Sequence, residues 1–425
     1  MLVDFRVKNF RSLREEQSLS FIASTDESLA ETHCIETDVR SVPRLTRANV
    51  IYGANASGKS NLIFALVTMR NMMLGSTSMQ EAAFAEQYTP FLLDRASANE
   101  PTELELTVLL DGVRYQYGFS YDAQRIRDEW LMVYKTGKGQ GWFDRSWNAT
   151  INDYEWAPFS THFMGQKDVW RKATRPQALF LTTAAQLNSE QLKPLLNWIN
   201  GSVTILNRLG AVPHAPELLW PTLRRLEEPG FKERVLGLLR AADIHIADIR
   251  VEKHPGQQFE LKMEPGKSPE FATRPQEIPI VKYMHCVKGE EPVWFDNRYE
   301  SFGTQKLMAI VGPIFDAVDN GKLLVVDELD SSLHPLMMRF LLGLVHDAEL
   351  SKRGAQLWIT THDTTLLDTE LLRRDQIWFV EKGESQASRL YPLSDFSPRK
   401  NEALERGYLR GRYGGVPFLS RLNVH

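Results

Sequence analysis

The chain has 425 residues, long enough for two or three lobes with cores of their own. Hydrophobic residues make up 43% and charged residues 24%, the balance of an ordinary globular protein. A formal net charge of −4 excludes a globally basic nucleic-acid coat, though not a local basic groove.

The N-terminal residues Leu2 to Lys8 alternate apolar and polar, as a half-buried strand does, and carry no apolar leader segment. Asn9-Phe10-Arg11-Ser12 reads as a turn, and Gln17 to Ile22 as a second strand. Residues 26 to 45 are polar and irregular, which predicts a surface loop. Cys34 and Cys286 lie far apart and match no metal spacing, as expected for a reducing, cytoplasmic setting.

Residues 46 to 60 are the densest signal in the chain. Val50-Ile51-Tyr52 ends an apolar strand. Gly53-Ala54-Asn55-Ala56-Ser57-Gly58-Lys59-Ser60 then fits G-x-x-x-x-G-K-[ST], and Asn61 to Met69 continues as a mostly apolar helix. The two glycines let successive backbone N–H groups turn toward one anion, and the helix N-terminus adds its own free N–H groups. Lys59 would reach the outer phosphates of a nucleoside triphosphate, and the Ser60 hydroxyl would ligate Mg²⁺.

Residues 76 to 100 read as a connector holding Gln87 and Pro90-Phe91. The stretches 103–110, 113–121 and 126–134 alternate, and Asp111-Gly112 between the first two is a tight-hairpin signal, so an antiparallel meander is expected. No clear pattern marks 140–175. Residues 178–246 read as helical, and strand patterns return at 246–251, 259–263 and 278–287.

A helix is expected from about Thr304 to Val318. Leu323-Leu324-Val325-Val326 and Gln356-Leu357-Trp358-Ile359-Thr360 are the continuous apolar runs of parallel strands covered on both faces. Gln376 to Val380 is another. The first run ends in Asp327-Glu328. After a phosphate loop in the same chain, that pair suits a Mg²⁺-holding carboxylate followed by one that polarises the attacking water. His362 stands at the end of the next strand, where α/β sheets bind ligands and where it could sense a γ-phosphate. Ser301 and Gly303 precede a helix and offer a second anion-facing N-terminus. The expected fold is α/β, a P-loop nucleotide hydrolase head with a mixed sheet, an antiparallel meander and a helical insertion. Its expected division is 1–165, 166–295 and 296–425. The longest apolar stretch, near Leu307 to Phe315, is too short to span a bilayer, so no membrane contact is expected.

The motif order resembles the ABC-type ATPase heads of the SMC/RecF/OLD group, and more closely stand-alone bacterial AAA-family ATPases of the RloA/AbiL type. The resemblance rests on Asn9-Phe10-Arg11-Ser12, the loop from Gly53 to Asn61, Pro90-Phe91, Glu300-Ser301-x-Gly303-Thr304-x-Lys306, Asp327-Glu328-x-Asp330-x-x-Leu333-His334-Pro335 and the tail from Tyr408 to Pro417. It implies that Ser301 and Gly303 form a signature motif that contacts the γ-phosphate held by a second copy. It makes Asp330 the residue at that interface, His362 the switch histidine and Gln87 the candidate metal-contacting glutamine. The signature departs from the transporter Ser-Gly-Gly-Gln, reading Ser-Phe-Gly-Thr.

The resemblance also implies ATP and Mg²⁺ as ligands, a homodimer or higher oligomer, and a separate effector, often a nuclease, in bacterial anti-phage defence. OLD-type relatives carry a nuclease in the same chain. Here the chain ends soon after Pro417, so a partner would supply it. The alternative is a RecF-like DNA-repair ATPase, which calls for a basic groove and DNA-stimulated hydrolysis. A scaffold that binds ATP without turnover would have no need of Asp327, Glu328 and His362. The basic tail residues Arg399, Lys400, Arg406, Arg410 and Arg412 read either as a nucleic-acid or partner contact or as a solvated helix face. The insertion reads either as a binding arm or as a cover for the sheet.

Overall fold

The computed structural model describes residues 1–207, 216–262, 270–396 and 403–417. Arg399 and Lys400 of the basic tail, and Met263 at the end of an expected strand, lie outside the described residues.

In chain order the strands begin with β1 (Leu2–Lys8), β2 (Gln17–Ser20), β3 (Cys34–Glu36), β4 (Arg44–Thr46) and β5 (Ala48–Tyr52). Helix α1 (Lys59–Gly75) follows. Then come β6 (Thr102–Leu110), β7 (Val113–Tyr121), β8 (Ile126–Thr136), β9 (Lys138–Asn148), β10 (Asp153–Trp156) and β11 (Val203–Leu206). Helices α2 (Pro216–Arg225) and α3 (Phe231–Ala241) precede β12 (Asp248–Lys262), β13 (Glu270–His285) and β14 (Val293–Asp296). The chain continues through α4 (Phe302–Asn320), β15 (Leu323–Val326), α5 (Pro335–His346), β16 (Gln356–Thr360), β17 (Ile377–Lys382), β18 (Ser388–Pro392) and α6 (Leu404–Leu409).

By contacts the chain forms two units. One comprises Met1–Asn207, Asp316–Asp330 and Met338–His425; the other comprises Arg208–Phe315 and Ser331–Met337.

The first unit holds two large sheets. One is antiparallel, in the order β10-β9-β8-β7-β6-β1-β2. The expected hairpin is there: Leu110 pairs with Val113 across Asp111 and Gly112, at φ 49° and 76°. Positive φ at both central residues is the turn whose twist matches the flanking strands. The other sheet runs β11-β15-β16-β5-β17-β18, parallel but for β18. Every residue of β5, β15 and β16 is buried, which is why Val50–Tyr52, Leu323–Val326 and Leu357–Ile359 read as unbroken apolar runs. Side chains of α1, such as Leu62, Leu66 and Met69, join residues of both sheets in one apolar cluster. Phe5 and Trp358 bring the sheets' rings to 5.9 Å, and the Gln356 side-chain amide bonds both the N–H and the C=O of Leu2 at 2.6 and 2.8 Å.

Three stretches differ from the sequence reading. Residues 26–45, expected as a surface loop, hold β3 and most of β4, which pair with each other and bury Cys34, Val42 and Leu45, because pairing and packing override a polar local composition. The meander continues through β9 and β10, where two glycines and two register shifts beside β8 hide the alternation. Val203–Leu206, inside a stretch that reads as helical, is a strand instead, because pairing with β15 overrides four residues of local preference.

A buried ion pair joins β8 to β9 within the meander. Glu129 and Arg145 are 0% and 1% exposed at 2.7 Å, and the carboxylate also accepts from Tyr117 Oη and the Phe180 and Leu181 N–H groups. Arg145→Ala leaves that carboxylate buried without its cation. A loss of about 3–5 kcal/mol is expected, read from the urea unfolding midpoint; a loss below about 1 kcal/mol contradicts the assignment.

The second unit contains α2, α3, most of α4 and the antiparallel sheet β12-β13-β14. Val235, Leu238 and Leu239 are the buried positions of the amphipathic α3. Among the described residues no helix is long and apolar enough to cross a membrane.

Candidate functional site

The end of β5 delivers the chain into the glycine-rich loop, and Gly58 at φ 114° opens α1. Both loop glycines are obligatory. A Cβ on Gly53 would meet the Val380 carbonyl oxygen at 2.4 Å, and one on Gly58 would meet Ser388 Oγ at 2.2 Å. Ala56 is left-handed at φ 59°. Asn55 and Ala56 are exposed, Ala54, Ser60 and Asn61 half-buried, and Ser57 and Lys59 buried. Lys59 Nζ folds back on its own loop, donating to the Gly53 and Ala54 carbonyls at 2.8 and 3.2 Å.

The parallel register brings the acidic residues to the same sheet end. β16 lies between β5 and β15, with Thr360 opposite Ile51 and Ile359 opposite Val326. Burial lowers the Lys59 ammonium pKa, and the charges of Glu328, Asp327 and Asp330 oppose that shift. These three carboxylates, some 270 residues downstream, thus lie within electrostatic reach of the loop lysine.

Thr360 organises them. Its Oγ1 donates to Asp327 Oδ1 at 2.5 Å and accepts the Glu328 N–H at 2.8 Å, while its carbonyl accepts the Leu329 N–H. These bonds hold Glu328 at φ 49°, a left-handed conformation that ordinary side chains resist. The His362 N–H donates to Asp330 Oδ2 at 3.1 Å. Burial lowers the ring's pKa and the Lys59 cation lowers it further, against Asp330, Glu328 and Asp327. At neutral pH the His362 ring is therefore uncharged and able to share a hydrogen bond with an anion.

The residues fit a triphosphate. Ser57 Oγ is buried without a hydrogen-bond partner, so its hydroxyl is free to donate. An amine, a backbone cradle and a helix N-terminus converge where such a ligand would bring acceptors. Ser60 and Asp327 are the hydroxyl and carboxylate that would hold Mg²⁺.

The remaining expected residues have the following partners. Ser301 is exposed and caps α4, its Oγ accepting the Thr304 N–H at 3.1 Å. A Cβ on Gly303 would meet the Ser332 carbonyl oxygen at 2.8 Å, and the buried Lys306 donates to Ser331 Oγ at 2.7 Å. These residues belong to the second unit, whereas the loop, Asp327, Glu328, Asp330 and His362 belong to the first. Gln87 follows a short helical turn and spends its side-chain amide on the Ala83 carbonyl. The tail packs on β17: Tyr408 and Tyr413 stack near Phe379, and Tyr408 Oη donates to the Gly415 carbonyl.

Nothing local in the sequence marks Ser12, Asn61, Thr360 or Ser388 for a hydrogen-bonding role, beyond a hydroxyl at the end of an apolar strand at Thr360.

A family model described as "AAA domain, putative AbiEii toxin, Type IV TA system" matches residues 48–368. That span runs from the first residue of β5 past His362. No curated protein matches the chain. Among solved structures, the chain is similar to an SMC head domain from Thermotoga maritima, at 13% identity and a TM-score of 0.41, over 92% of this chain and 98% of that one.

Proposed function

This chain belongs to the AAA-domain family whose model spans residues 48–368, and from that premise we propose that it is an ATP-binding and ATP-hydrolysing switch. The observation that carries the reading is geometric: the parallel register of β5, β16 and β15 brings the Lys59 loop, Asp327, Glu328 and His362 to one sheet end, where Thr360 hydrogen-bonds Asp327 and Glu328, and Asp330 the His362 N–H.

The roles follow from the chemistry. The loop N–H groups and Lys59 bind the phosphates. Ser60 and Asp327 hold Mg²⁺, which neutralises phosphate oxygens when bound. Glu328 takes a proton from a water as its oxygen bonds to the γ-phosphorus; the bond from that phosphorus to the bridging oxygen breaks, and ADP leaves with the electron pair. His362 donates to the γ-phosphate and registers its departure. Gln87, released from Ala83, is a further candidate for the metal shell.

The ATP site is completed by a second copy, whose Ser301 and Gly303 close over the γ-phosphate and whose Asp330 lines the contact. Hydrolysis opens the pair and so signals to a separate effector. The toxin-system wording of the family's description supports a role in defence. The apposed phosphate loop and carboxylates serve a RecF-like DNA-repair ATPase equally well, and DNA stimulation of hydrolysis would favour that reading.

Ser301→Asp tests the two-copy arrangement. Aspartate keeps an oxygen for the Thr304 N–H, so the helix cap survives, but its charge opposes a γ-phosphate. Each copy should bind ATP as wild type does, while ATP-dependent dimerisation, measured by light scattering, should be lost. Wild-type dimerisation by Ser301→Asp refutes the arrangement.

A further inference from the structure

The phosphate loop is braced from outside its own motif. Asn61 Nδ2 donates to Ser12 Oγ at 2.7 Å, Ser12 Oγ and Ser388 Oγ lie 2.7 Å apart, and Ser388 Oγ lies 2.5 Å from the Ser57 carbonyl oxygen. Ser388 is 1% exposed, and its own N–H donates to the Ser12 carbonyl at 2.7 Å. The bracing residues come from the N-terminal turn and from the first residue of β18, 376 positions apart.

The direction of this chain of bonds is forced. A carbonyl only accepts, so the single Ser388 hydroxyl proton points to Ser57. Ser12 must then donate to Ser388, and its remaining lone pairs accept from the Asn61 amide. Every donor points toward the loop. A trans peptide holds its C=O and N–H in opposite directions. Fixing the Ser57 carbonyl toward Ser388 therefore turns the Gly58 N–H away from Ser388, the side a phosphate must occupy if Gly58 is to donate to it. The close approach is tight, since a Cβ on Gly58 would also meet Ser12 Oγ at 2.8 Å.

We propose that Ser388 is a positioning residue for phosphate binding, with Ser12 and Asn61 ordering its proton, so that the Ser57–Gly58 peptide is set before nucleotide arrives. The inference rests on the reading of residues 53–60 as the phosphate site. Its effect is on ATP affinity rather than on the chemical step, because Ser388 hydrogen-bonds the loop backbone and none of the proposed catalytic side chains.

The test uses the full chain with a fluorescent ATP analogue and Mg²⁺, in wild type, Ser388→Ala, Ser12→Ala, the double variant and Lys59→Ala. Ser388→Ala should weaken binding about tenfold, the size of one oriented hydrogen bond, with kcat at saturating ATP within about twofold of wild type. Ser12→Ala should weaken binding less, about threefold, because Ser388 can still donate to Ser57. The double variant should bind no more weakly than Ser388→Ala, since both changes break one chain. Wild-type affinity in Ser388→Ala, or losses that add in the double variant, overturns the inference. If Ser388→Ala does not fold, Ser12→Ala decides by its KM: a rise at constant kcat supports the chain, and an unchanged KM refutes it. If wild type itself fails to bind the analogue, the phosphate-site reading falls and takes this inference with it. If wild type binds, Lys59→Ala does not and Ser388→Ala is normal, only this inference falls.

Discussion

Glu328→Gln should bind ATP with wild-type affinity, turn it over at least about a hundredfold more slowly, and accumulate as an ATP-held dimer. Glutamine keeps the size and reach of glutamate but cannot take the proton of the attacking water. The backbone that aims the side chain is untouched by the change, because the left-handed turn at φ 49° is held by the Glu328 N–H on Thr360 Oγ1. Asp327, the proposed Mg²⁺ ligand, stays anchored by the same hydroxyl. Binding and chemistry are thereby separated, and dimerisation becomes the end point rather than a passing state. Phosphate release and light scattering on one sample give both numbers. Hydrolysis at the wild-type rate would remove Glu328 from the mechanism.

Lys59→Ala should abolish nucleotide binding within the measurable range, a loss of about a hundredfold or more. The side chain is 5% exposed and its amine rests on the Gly53 and Ala54 carbonyls, so the ligand-free protein keeps it close to where phosphate would lie. Burial disfavours that charge, and three carboxylates offset the penalty only in part. A triphosphate would complete the compensation, so binding energy is concentrated on this amine. The readout is thermal. ATP with Mg²⁺ should raise the melting temperature of wild type and leave that of Lys59→Ala unmoved, as linkage requires of a ligand that binds only the folded state. An equal ATP-dependent rise in both proteins would show that the amine does not hold the phosphates.

Much of the α/β core was legible because its signals are local. The loop from Gly53 to Ser60 is recognised by spacing, since an anion wrapped by consecutive N–H groups demands glycine at fixed offsets. The strands β5, β15 and β16 announce themselves by the apolar runs Val50–Tyr52, Leu323–Val326 and Leu357–Ile359, and Asp111-Gly112 announces its hairpin. The strand β11 did not, because four residues carry too little periodicity to compete with the helical stretch around them.

What the chain specifies by itself, then, is which segments are buried, where it turns and where an anion would be gripped: each is set by neighbours a few residues away. Which hydroxyl meets which carboxylate was decided only in the folded molecule. Thr360 reaches Asp327 because β16 pairs in parallel with β15, and Ser388 reaches Ser57 because β18 folds back beside the N-terminal turn. Serine and threonine leave no periodic mark. Their roles depend on strand register and on contacts hundreds of residues apart, which packing of the whole core selects.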